Sequence, residues 1–361
     1  MVVLGSTGSI GVNALNIAKR FNLEVEALVS NSNIELLNKQ IAEFKPKFVA
    51  IGDESKKDLV NHPKVFTKEE GILELLELSS SKKVVNALVG FAGLKPTLKA
   101  LELNKDLALA NKESLVIAGK FLNTNKITPI DSEHFGLWYL LSGKKPNKLI
   151  ITASGGAFRD WKLEDIKHAK LKDALKHPNW AMGQKITIDS ASMVNKLFEL
   201  LEARWLFNTT QIDAVIERNS IVHALVEFID GSTTAQLSST DMKLPIAYAL
   251  LEKVKEPILK PLNLLELNPI KFEEIDKSRY PIWEIKEHLL NNADMGVVLN
   301  AANEAAIEGF IKERYGFFDM VKLILKAYNK FISTKISSLD DIFLIDKEVK
   351  KYIKSLNKLH F

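Results

Sequence analysis

The chain has 361 residues, of which 46% are hydrophobic and 26% are charged, a globular composition that excludes collagen, coiled coils and disordered proteins. Forty-nine Lys and Arg residues against 45 Asp and Glu residues leave a net charge of +4 with both signs mixed along the chain, so charge does not support binding to nucleic acid or to a membrane surface. The sequence contains no cysteine, which excludes disulfide frameworks, thiolate zinc sites and cysteine nucleophiles.

The length of the chain predicts two or three domains at roughly 150 residues each. No apolar stretch approaches the ~18 residues that a membrane-spanning helix requires, and no charged leader precedes an apolar stretch at the start of the sequence. We therefore expect a cytoplasmic protein that binds neither membranes nor nucleic acids.

The first third of the chain alternates short β-branched runs with amphipathic helical patterns. Strands are predicted at residues 2–4, 25–29, 48–51, 84–89, 107–110 and 127–130. Helices are predicted at residues 12–20, 34–44 and 72–78. Strands that alternate with helices in this way predict an α/β fold with a parallel, doubly wound sheet.

The pattern changes after residues 143–146. Strands are predicted at residues 149–153, 185–189, 214–217, 220–228 and 233–237. One long helix is predicted at 192–206, and this mixture indicates an α+β layer. Residues 256–282 combine several prolines with little periodicity and are interpreted as a linker. The remaining chain is predicted to be helical, notably at 297–315 and 319–331.

A glycine-rich segment, Gly5-Ser6-Thr7-Gly8-Ser9-Ile10-Gly11, follows the first predicted strand and opens the first predicted helix. Glycines allow a tight turn and close approach to a pyrophosphate, whose charge then meets the N-terminus of the helix. The Gly-x-x-Gly-x-x-Gly spacing is one residue wider than the common dinucleotide fingerprint. A glycine turn without a ligand is the alternative, but the surrounding strands and helices favour a dinucleotide site.

The end of the second predicted strand bears on the choice between NAD and NADP. An acidic residue there would bind the ribose hydroxyls of NAD. This chain has the neutral segment Ser30-Asn31-Ser32-Asn33 instead. The absence of a carboxylate favours NADP, although the segment also lacks a Lys or Arg for the additional phosphate.

Two later strands are followed by polar clusters, Asn111-Lys112-Glu113-Ser114 and Asp131-Ser132-Glu133-His134. Ligands of doubly wound sheets bind beyond these strand ends, although helix capping explains such clusters equally well. If the second cluster is extended, Asp131 and Glu133 project from one face and repel each other unless a cation lies between them. Oxygen ligands suit Mg²⁺ or Mn²⁺, but an Asp-x-Glu pair alone is common.

Several motifs in the second half of the chain have two explanations. The i, i+3 spacing of Lys196 and Glu199 favours a solvated ion pair. Ser154-Gly155-Gly156 is either a plain turn or a nest of backbone amides that binds an anion. Trp180 is a core anchor or a residue of a lid. His223 lies in an alternating apolar strand, which is typical of a packed or interface histidine.

Taken together, these segments resemble the 1-deoxy-D-xylulose 5-phosphate reductoisomerase family, in an ordered series that spans nearly the whole chain. The matching segments are residues 5–11, 86–90, 110–114, 131–134, 154–158, 177–183, 189–199, 202–207 and 299–304. The resemblance implies an NADPH-binding Rossmann-type domain (1–131), a central α+β catalytic and dimerisation domain (132–255), a linker (256–282) and a C-terminal helical domain (283–361). It also implies a homodimer and a phosphorylated ketose as substrate.

The resemblance also assigns roles to individual residues. The residues it places at the cofactor NADPH are Thr7, Gly8, Ser9, Ile10, Ser30, Asn31, Ser32, Asn33, Asn111, Glu113 and Gly183. The implied ligands of Mg²⁺ or Mn²⁺ are Asp131, Glu133 and Glu199. The implied substrate contacts are Lys112, Ser132, Glu133, Ser154, His177, Trp180, Ser190, Asn195, Lys196 and Glu199. The implied catalytic residues are Lys112, Asp131, Glu133 and Glu199.

The reaction implied by the resemblance has two steps. The carbon skeleton of 1-deoxy-D-xylulose 5-phosphate rearranges by carbon–carbon cleavage and rejoining, and NADPH then reduces the aldehyde to 2-C-methyl-D-erythritol 4-phosphate, a precursor of isoprenoids. In one departure, Asn31-Ser32-Asn33 stands where many family members carry Gly-Lys-Asn, which removes a cation from the expected 2′-phosphate site. The alternatives are a metal-free hydroxy-acid or sugar-phosphate dehydrogenase and a nucleotide-binding module without turnover.

Overall fold

A computed structural model describes residues 1–141 and 145–356. The chain divides into two compact units. Unit 1 consists of Met1–Ser114, Leu122–Phe135 and Asp241–Pro261, and unit 2 consists of Leu115–Phe121, Gly136–Thr240 and Leu262–Phe361. Residues 143 and 144 of the predicted junction and residues 357–361 lie outside the described residues. The division into three domains and a linker stays a prediction.

Strands β1–β7 of unit 1 form a parallel sheet across residues 2–129, in the order β4-β3-β2-β1-β5-β6-β7. They are β1 (Val2–Leu4), β2 (Ala27–Ser30), β3 (Phe48–Ile51), β4 (Val65–Thr67), β5 (Lys83–Asn86), β6 (Asp106–Leu109) and β7 (Ile127–Pro129). The chain runs outward in both directions from β1, so the carboxyl end of β1 is the switch point at which such sheets bind ligands. The predicted α/β fold with a doubly wound sheet is confirmed.

The α-helices of both units are numbered in chain order. They are α1 (Ser9–Arg20), α2 (Ile34–Phe44), α3 (Lys68–Leu78), α4 (Leu94–Glu102), α5 (Lys112–Ala118), α6 (Ser132–Leu140), α7 (Leu163–Ile166), α8 (Leu171–Ala174), α9 (Gln184–Ser192), α10 (Val194–Phe207), α11 (Lys243–Leu250), α12 (Lys286–Asn291), α13 (Met295–Ile311), α14 (Phe317–Lys330) and α15 (Leu339–Leu356). No helix in the described ranges combines the length and apolar character needed to cross a bilayer.

Helix α11 belongs to unit 1, although it lies more than 200 residues after α1 in sequence. It packs against α1, and its Ile246 and Ala247 are fully buried in the same core as Leu15, Leu28 and Val85. This grouping differs from the predicted domain boundary at residue 255. Sequence patterning does not reveal it, because the apolar face of α11 does not identify its distant partner.

At the amino-terminal ends of the strands of the same sheet, the buried carboxylate of Glu26 binds the loop that precedes β5. The hydroxyls of Ser79, Ser80 and Ser81 donate to it at 2.7, 2.9 and 2.5 Å, and the backbone N–H groups of Ser80 and Ser81 add two more hydrogen bonds. Lys105 Nζ donates to the carbonyls of Ser79 and Ser81. Burial opposes ionisation of Glu26, but these hydrogen bonds outweigh it and lower its pKa to about 2.

Glu26→Gln is therefore expected to destabilise unit 1 by up to about 3 kcal/mol at neutral pH. The pKa of Glu26 differs by about 2.5 units between the folded and unfolded states, and the variant loses the stabilisation that this difference provides. A lowered pKa stabilises the fold above the unfolded value of 4.5, and this stabilisation is lost as the pH falls towards 2. Urea unfolding at pH 7 and pH 3 measures it. The difference between the wild type and Glu26→Gln should shrink by at least about half at pH 3, and an unchanged difference would contradict the assignment. The exposed neighbour Glu24→Gln is the control.

Unit 2 contains a second sheet in the order β11-β10-β8-β9 within residues 146–237. Its strands are β8 (Pro146–Ala153), β9 (Ile212–Ile216), β10 (Val222–Phe228) and β11 (Thr233–Leu237). β8 is antiparallel to β10 and parallel to β9, and α10 packs against β9. The C-terminal part is helical, with α13 packed against α14 and α15. The predicted mixture of strands and helices is found here.

In unit 2, one local prediction is wrong and the start of one predicted helix is shifted. Residues 185–189, predicted as a strand, lie in helix α9. Their β-branched alternation suits a strand, but the buried residues Thr187, Ile188, Ala191 and Ser192 follow helical spacing, so tertiary packing overrides the local preference. The helix predicted from residue 192 begins at Val194, because Met193 adopts a left-handed conformation with φ of 72° between α9 and α10.

Candidate active site

The glycine segment forms a turn between β1 and α1 that only small residues can make. The N–H groups of Gly5 and Ser6 donate to the carbonyl of Val29 at 2.9 and 2.8 Å. Gly5 has a φ of +82°, and a Cβ on it would lie 2.6 Å from the carbonyl oxygen of Ala87. A Cβ on Gly11 would lie 2.2 Å from the carbonyl oxygen of Gly5. The turn thus leaves the N-terminus of α1 accessible at the switch point, which suits a diphosphate.

The residues that the resemblance assigns to the cofactor lie around this turn. Gly8 and Ser9 are exposed, Thr7 and Ile10 are half-buried, and Thr7 Oγ1 is 2.7 Å from Ser30 Oγ at the end of β2. The exposed segment Asn31-Ser32-Asn33 follows β2. The carboxyl ends of β1 and β2 therefore bring these residues together, as the sequence predicts for a nucleotide site.

Asn111 is buried and its side chain holds two loops of the sheet together. Its Nδ2 donates to the carbonyls of Leu88 and Gly90, both at 2.9 Å, and its Oδ1 accepts from the backbone N–H and the hydroxyl of Ser114. Asn111 Nδ2 also donates to Glu113 Oε2 at 3.1 Å. The helix-capping alternative is thus realised for Asn111, and its contact with a cofactor stays a prediction.

The second polar cluster places two carboxylates at the start of helix α6. Oxygen atoms of Asp131 and Glu133 lie within 4.8 Å of each other. Lys112 Nζ is 2.6 Å from Asp131 Oδ2, because β6 and β7 are neighbours in the sheet and their ends meet. Ser132 Oγ donates to Glu133 Oε2 at 2.6 Å. The segment is helical and not extended, since the carbonyl of Asp131 accepts a helical hydrogen bond from Phe135 N–H at 2.9 Å.

Unit 2 carries the third predicted metal ligand, Glu199, on helix α10. Its carboxylate accepts hydrogen bonds from Asn195 Nδ2 and Lys196 Nζ, and Lys196 Nζ also donates to the carbonyl of Thr152. The Lys196–Glu199 ion pair predicted from the sequence spacing is present, but it is buried and not solvated, with side chains 4% and 1% exposed. Such a pair withstands burial only because additional polar groups complete its hydrogen bonding.

The turn after β8, the loop at His177 and helix α9 form a small polar cradle in unit 2, with Ser154, His177 and Ser190 as its members. Gly155 and Gly156 follow β8 with φ of +88° and +68°. A Cβ on Gly156 would lie 2.6 Å from the carbonyl oxygen of Ser190, so the turn packs directly on α9. Ser154 Oγ lies 2.8 Å from His177 Nε2 and accepts from Gly156 N–H at 3.1 Å. The cradle therefore brings Ser154, His177 and Ser190 into one region.

The hydrogen bonds of His177 fix its tautomer. Its Nδ1 accepts from the backbone N–H groups of Asn179 and Trp180 at 3.2 and 3.0 Å, so the proton of the neutral ring is on Nε2. Burial, together with the nearby charge of Arg159, lowers the pKa of His177 to about 4. The neutral ring then donates to Ser154 Oγ, which leaves the hydroxyl proton of Ser154 available to donate to a bound anion.

Comparisons with known proteins identify the family. The family model for 1-deoxy-D-xylulose 5-phosphate reductoisomerase matches residues 1–119. The family model for the 1-deoxy-D-xylulose 5-phosphate reductoisomerase C-terminal domain matches residues 127–207, and the family model for the DXP reductoisomerase C-terminal domain matches residues 237–352. The reductoisomerase of Nautilia profundicola is 60% identical over 98% of this chain and 99% of its own length. The chain belongs to the 1-deoxy-D-xylulose 5-phosphate reductoisomerase family. That of Campylobacter hominis is 57% identical over 98% and 99%.

Solved structures of the reductoisomerase family share this fold. A crystal structure of DOX-P reductoisomerase in complex with NADPH, fosmidomycin and magnesium is 34% identical, with a TM-score of 0.92 over 99% of this chain and 98% of that one. The reductoisomerase from Zymomonas mobilis in complex with NADPH is 33% identical, with a TM-score of 0.87 over the same shares. The family predicted from the sequence is confirmed.

The remaining predicted residues of this reductoisomerase-family chain lie near the cradle or beside it in sequence. Trp180 is half-buried, with its ring centroid 6.1 Å from that of the buried His223. Asn179 Nδ2 donates to Ser220 Oγ at 2.6 Å, which anchors the loop. Gly183 is exposed at the start of α9, with nothing within 4 Å of the position of a Cβ. Trp180 therefore packs against His223 with one part of its ring and keeps the rest accessible to solvent.

Sequence reasoning did not single out the groups behind the cradle. Asp189 is buried next to Ser190, and Lys185 Nζ and Asn303 Nδ2 bind its two carboxylate oxygens at 2.8 and 2.7 Å. The buried Tyr280 donates to the carbonyl of Gly155 at 2.8 Å. Asn303 lies in the family-like segment 299–304, but only the fold relates it to Asp189. These groups fix the backbone that carries Ser190 and Gly155.

Proposed function

We propose that this chain converts 1-deoxy-D-xylulose 5-phosphate to 2-C-methyl-D-erythritol 4-phosphate in isoprenoid biosynthesis, by metal-assisted skeletal rearrangement and reduction with NADPH. The observation that carries the proposal is the 60% identity to a curated reductoisomerase over 98% of the chain. The groups within each unit support it. Unit 1 holds the glycine turn and the Asp131–Glu133 pair, and unit 2 holds the polar cradle.

The nucleotide proposal rests on the turn between β1 and α1. Substitution of Gly5 or Gly11 would introduce a Cβ within 2.6 Å of backbone oxygen, so these positions require glycine to keep the backbone close to a diphosphate. Thr7, Gly8, Ser9 and Ile10 are the proposed diphosphate contacts. NADPH supplies the hydride for the reduction. The chain contributes the orientation of the dinucleotide along the switch point of the sheet.

The metal proposal assigns one divalent cation to Asp131, Glu133 and Glu199. A set of three carboxylate ligands, with oxygen atoms and no sulfur atom, suits Mg²⁺ or Mn²⁺. The ion would polarise the carbonyl of the substrate as a Lewis acid. Lys112, paired with Asp131 at 2.6 Å, holds that carboxylate in place and adds positive charge at the same strand end.

The phosphate proposal assigns Ser154, His177, Ser190, Asn195 and Lys196 to the phosphate of the ketose. Ser154 donates its hydroxyl proton to the phosphate, and the neutral His177 orients that hydroxyl through Nε2. These residues do no chemistry themselves, but they position the reacting end of the substrate. We also propose that residues 174–184, with Trp180, exclude water from the bound substrate.

The proposal includes a homodimer and a cytoplasmic location. Strand β11 lies at the edge of the second sheet, and its Thr233, Thr234 and Ala235 are exposed. An exposed sheet edge favours pairing or covering by another chain, which supports self-association. The composition without cysteine is compatible with a reducing compartment.

Oxidation of NADPH with 1-deoxy-D-xylulose 5-phosphate tests this function. We expect absorbance at 340 nm to fall only when the ketose phosphate, NADPH and Mg²⁺ or Mn²⁺ are all present. EDTA should abolish the reaction, and added Mg²⁺ should restore it. Turnover that survives complete removal of metal would instead indicate a metal-free dehydrogenase.

A further inference from the structure

The segment after β2, at the adenosine end of the proposed nucleotide site, contains no cation that could distinguish NADPH from NADH. The two cofactors differ by the 2′-phosphate of NADPH, and the segment Asn31-Ser32-Asn33 after β2 is neutral. Asn33 Oδ1 accepts from Leu36 N–H at 3.2 Å, which caps helix α2. Asn31 Oδ1 lies 2.2 Å from the position of a Cβ on Gly52, so its side chain packs on the neighbouring loop.

That neighbouring loop brings a lysine to the segment. β3 pairs with β2 in parallel, and hydrogen bonds from Gly52 N–H to Ser30 O and from Asp53 N–H to Asn31 O hold the two loops together beyond the strands. Lys56 lies in the 3-10 turn Glu54–Leu59 that follows. Its Nζ donates to the carbonyl of Ser32 at 3.1 Å, and its side chain is 40% exposed.

The charged groups around Lys56 do not prevent its ammonium group from binding an anion. The nearest carboxylate oxygen, Asp53 Oδ2, is 3.8 Å away, and Asp53 Oδ1 already accepts from the N–H and hydroxyl of Ser55. Glu54, two residues before Lys56, pairs with Lys68, and Glu35 pairs with Lys39. A weak, exposed pair with Asp53 contributes little, so a phosphate dianion competes effectively for this lysine.

We propose that Lys56 provides the cation that binds the 2′-phosphate of NADPH and thereby sets the cofactor preference of this chain. A residue after β3 thus replaces the missing lysine of the segment after β2. The inference rests on the proposed use of NADPH and names the residue that determines selectivity.

Isothermal titration of the full-length protein with NADPH and with NADH tests the proposal. We expect Lys56→Gln to raise the Kd of NADPH about 10-fold and to leave that of NADH unchanged, because only NADPH carries the additional phosphate. Lys56→Arg, which retains the charge, should stay within about 3-fold of the wild type. Lys57→Gln removes the same charge from the adjacent exposed residue and should change the NADPH Kd by less than about 3-fold.

Fragments of the cofactor provide a second readout. The Kd of 2′,5′-ADP should rise in Lys56→Gln, and the Kd of 5′-ADP should not. Equal losses for both cofactors, equal effects of Lys56→Gln and Lys57→Gln, or no loss in Lys56→Gln would each overturn the assignment. Failure of the wild type to bind NADPH at all would contradict the proposed function itself, so the two failures are distinguishable.

Discussion

Asp131→Asn is expected to lower kcat/KM for the phosphorylated ketose by at least ~10³-fold, while the Kd of NADPH stays within about 3-fold of the wild type. The substitution removes a charged oxygen from the Asp131–Glu133 pair and from the 2.6 Å contact with Lys112 Nζ. NADPH binding is preserved because the glycine turn is at β1, which β5 and β6 separate from β7 in the sheet. Steady-state kinetics and isothermal titration give the two values.

Asp106→Asn is the matched control for this result. Asp106 also pairs with a lysine, Lys126, at 3.2 Å, but at the opposite end of the same two strands. Its substitution should leave kcat/KM within about 2-fold, since exposed pairs contribute little. Near-normal turnover in Asp131→Asn, or an equal loss in both variants, would contradict the role of this carboxylate.

Gly156→Ala is expected to raise the KM of the ketose phosphate by about 10- to 100-fold and to leave the KM of NADPH unchanged. The new Cβ would lie 2.6 Å from Ser190 O and 2.7 Å from Ala191 Cα, and the residue would keep a φ of +68°. The turn must therefore move away from α9, which separates Ser154 from Ser190. Initial rates at varied concentrations of each substrate measure the effect.

Gly231→Ala isolates steric contact from backbone strain in this experiment. Gly231 also has a positive φ, +84°, but nothing lies within 4 Å of its Cβ position. We expect its KM for the ketose phosphate to match that of the wild type. If Gly156→Ala alters both KM values equally, it acts through general destabilisation and not through the cradle.

The sequence predicts those parts of the fold that local patterns determine. The Gly5–Gly11 turn and the alternation of strands and helices correctly predict the parallel sheet. Strand β4 (Val65–Thr67) is not among the predicted strands. Residues 185–189 are mispredicted because their β-branched alternation outweighs a helical burial pattern that only the tertiary structure reveals.

The sequence predicts which residues belong to the candidate site better than it predicts their burial and hydrogen bonds. The sequence singled out His177 and the Lys196–Glu199 spacing, but not the neutral tautomer of the ring or the burial of the pair. Asp189 and Asn303 are 114 positions apart, and Lys56 is 24 positions from Ser32. No local pattern links such distant residues, so their partnerships depend on the fold.

The central proposal is that Asp131, Glu133 and Glu199 are ligands of one divalent cation. Titration with Mn²⁺, with the free ion measured by electron paramagnetic resonance, tests this most directly in the wild type, Asp131→Asn, Glu199→Gln and Asp106→Asn. We expect one Mn²⁺ per chain in the wild type and in Asp106→Asn, and at least ~10-fold weaker binding of Mn²⁺ in the other two variants. Unchanged Mn²⁺ affinity in a folded Glu199→Gln variant would contradict it.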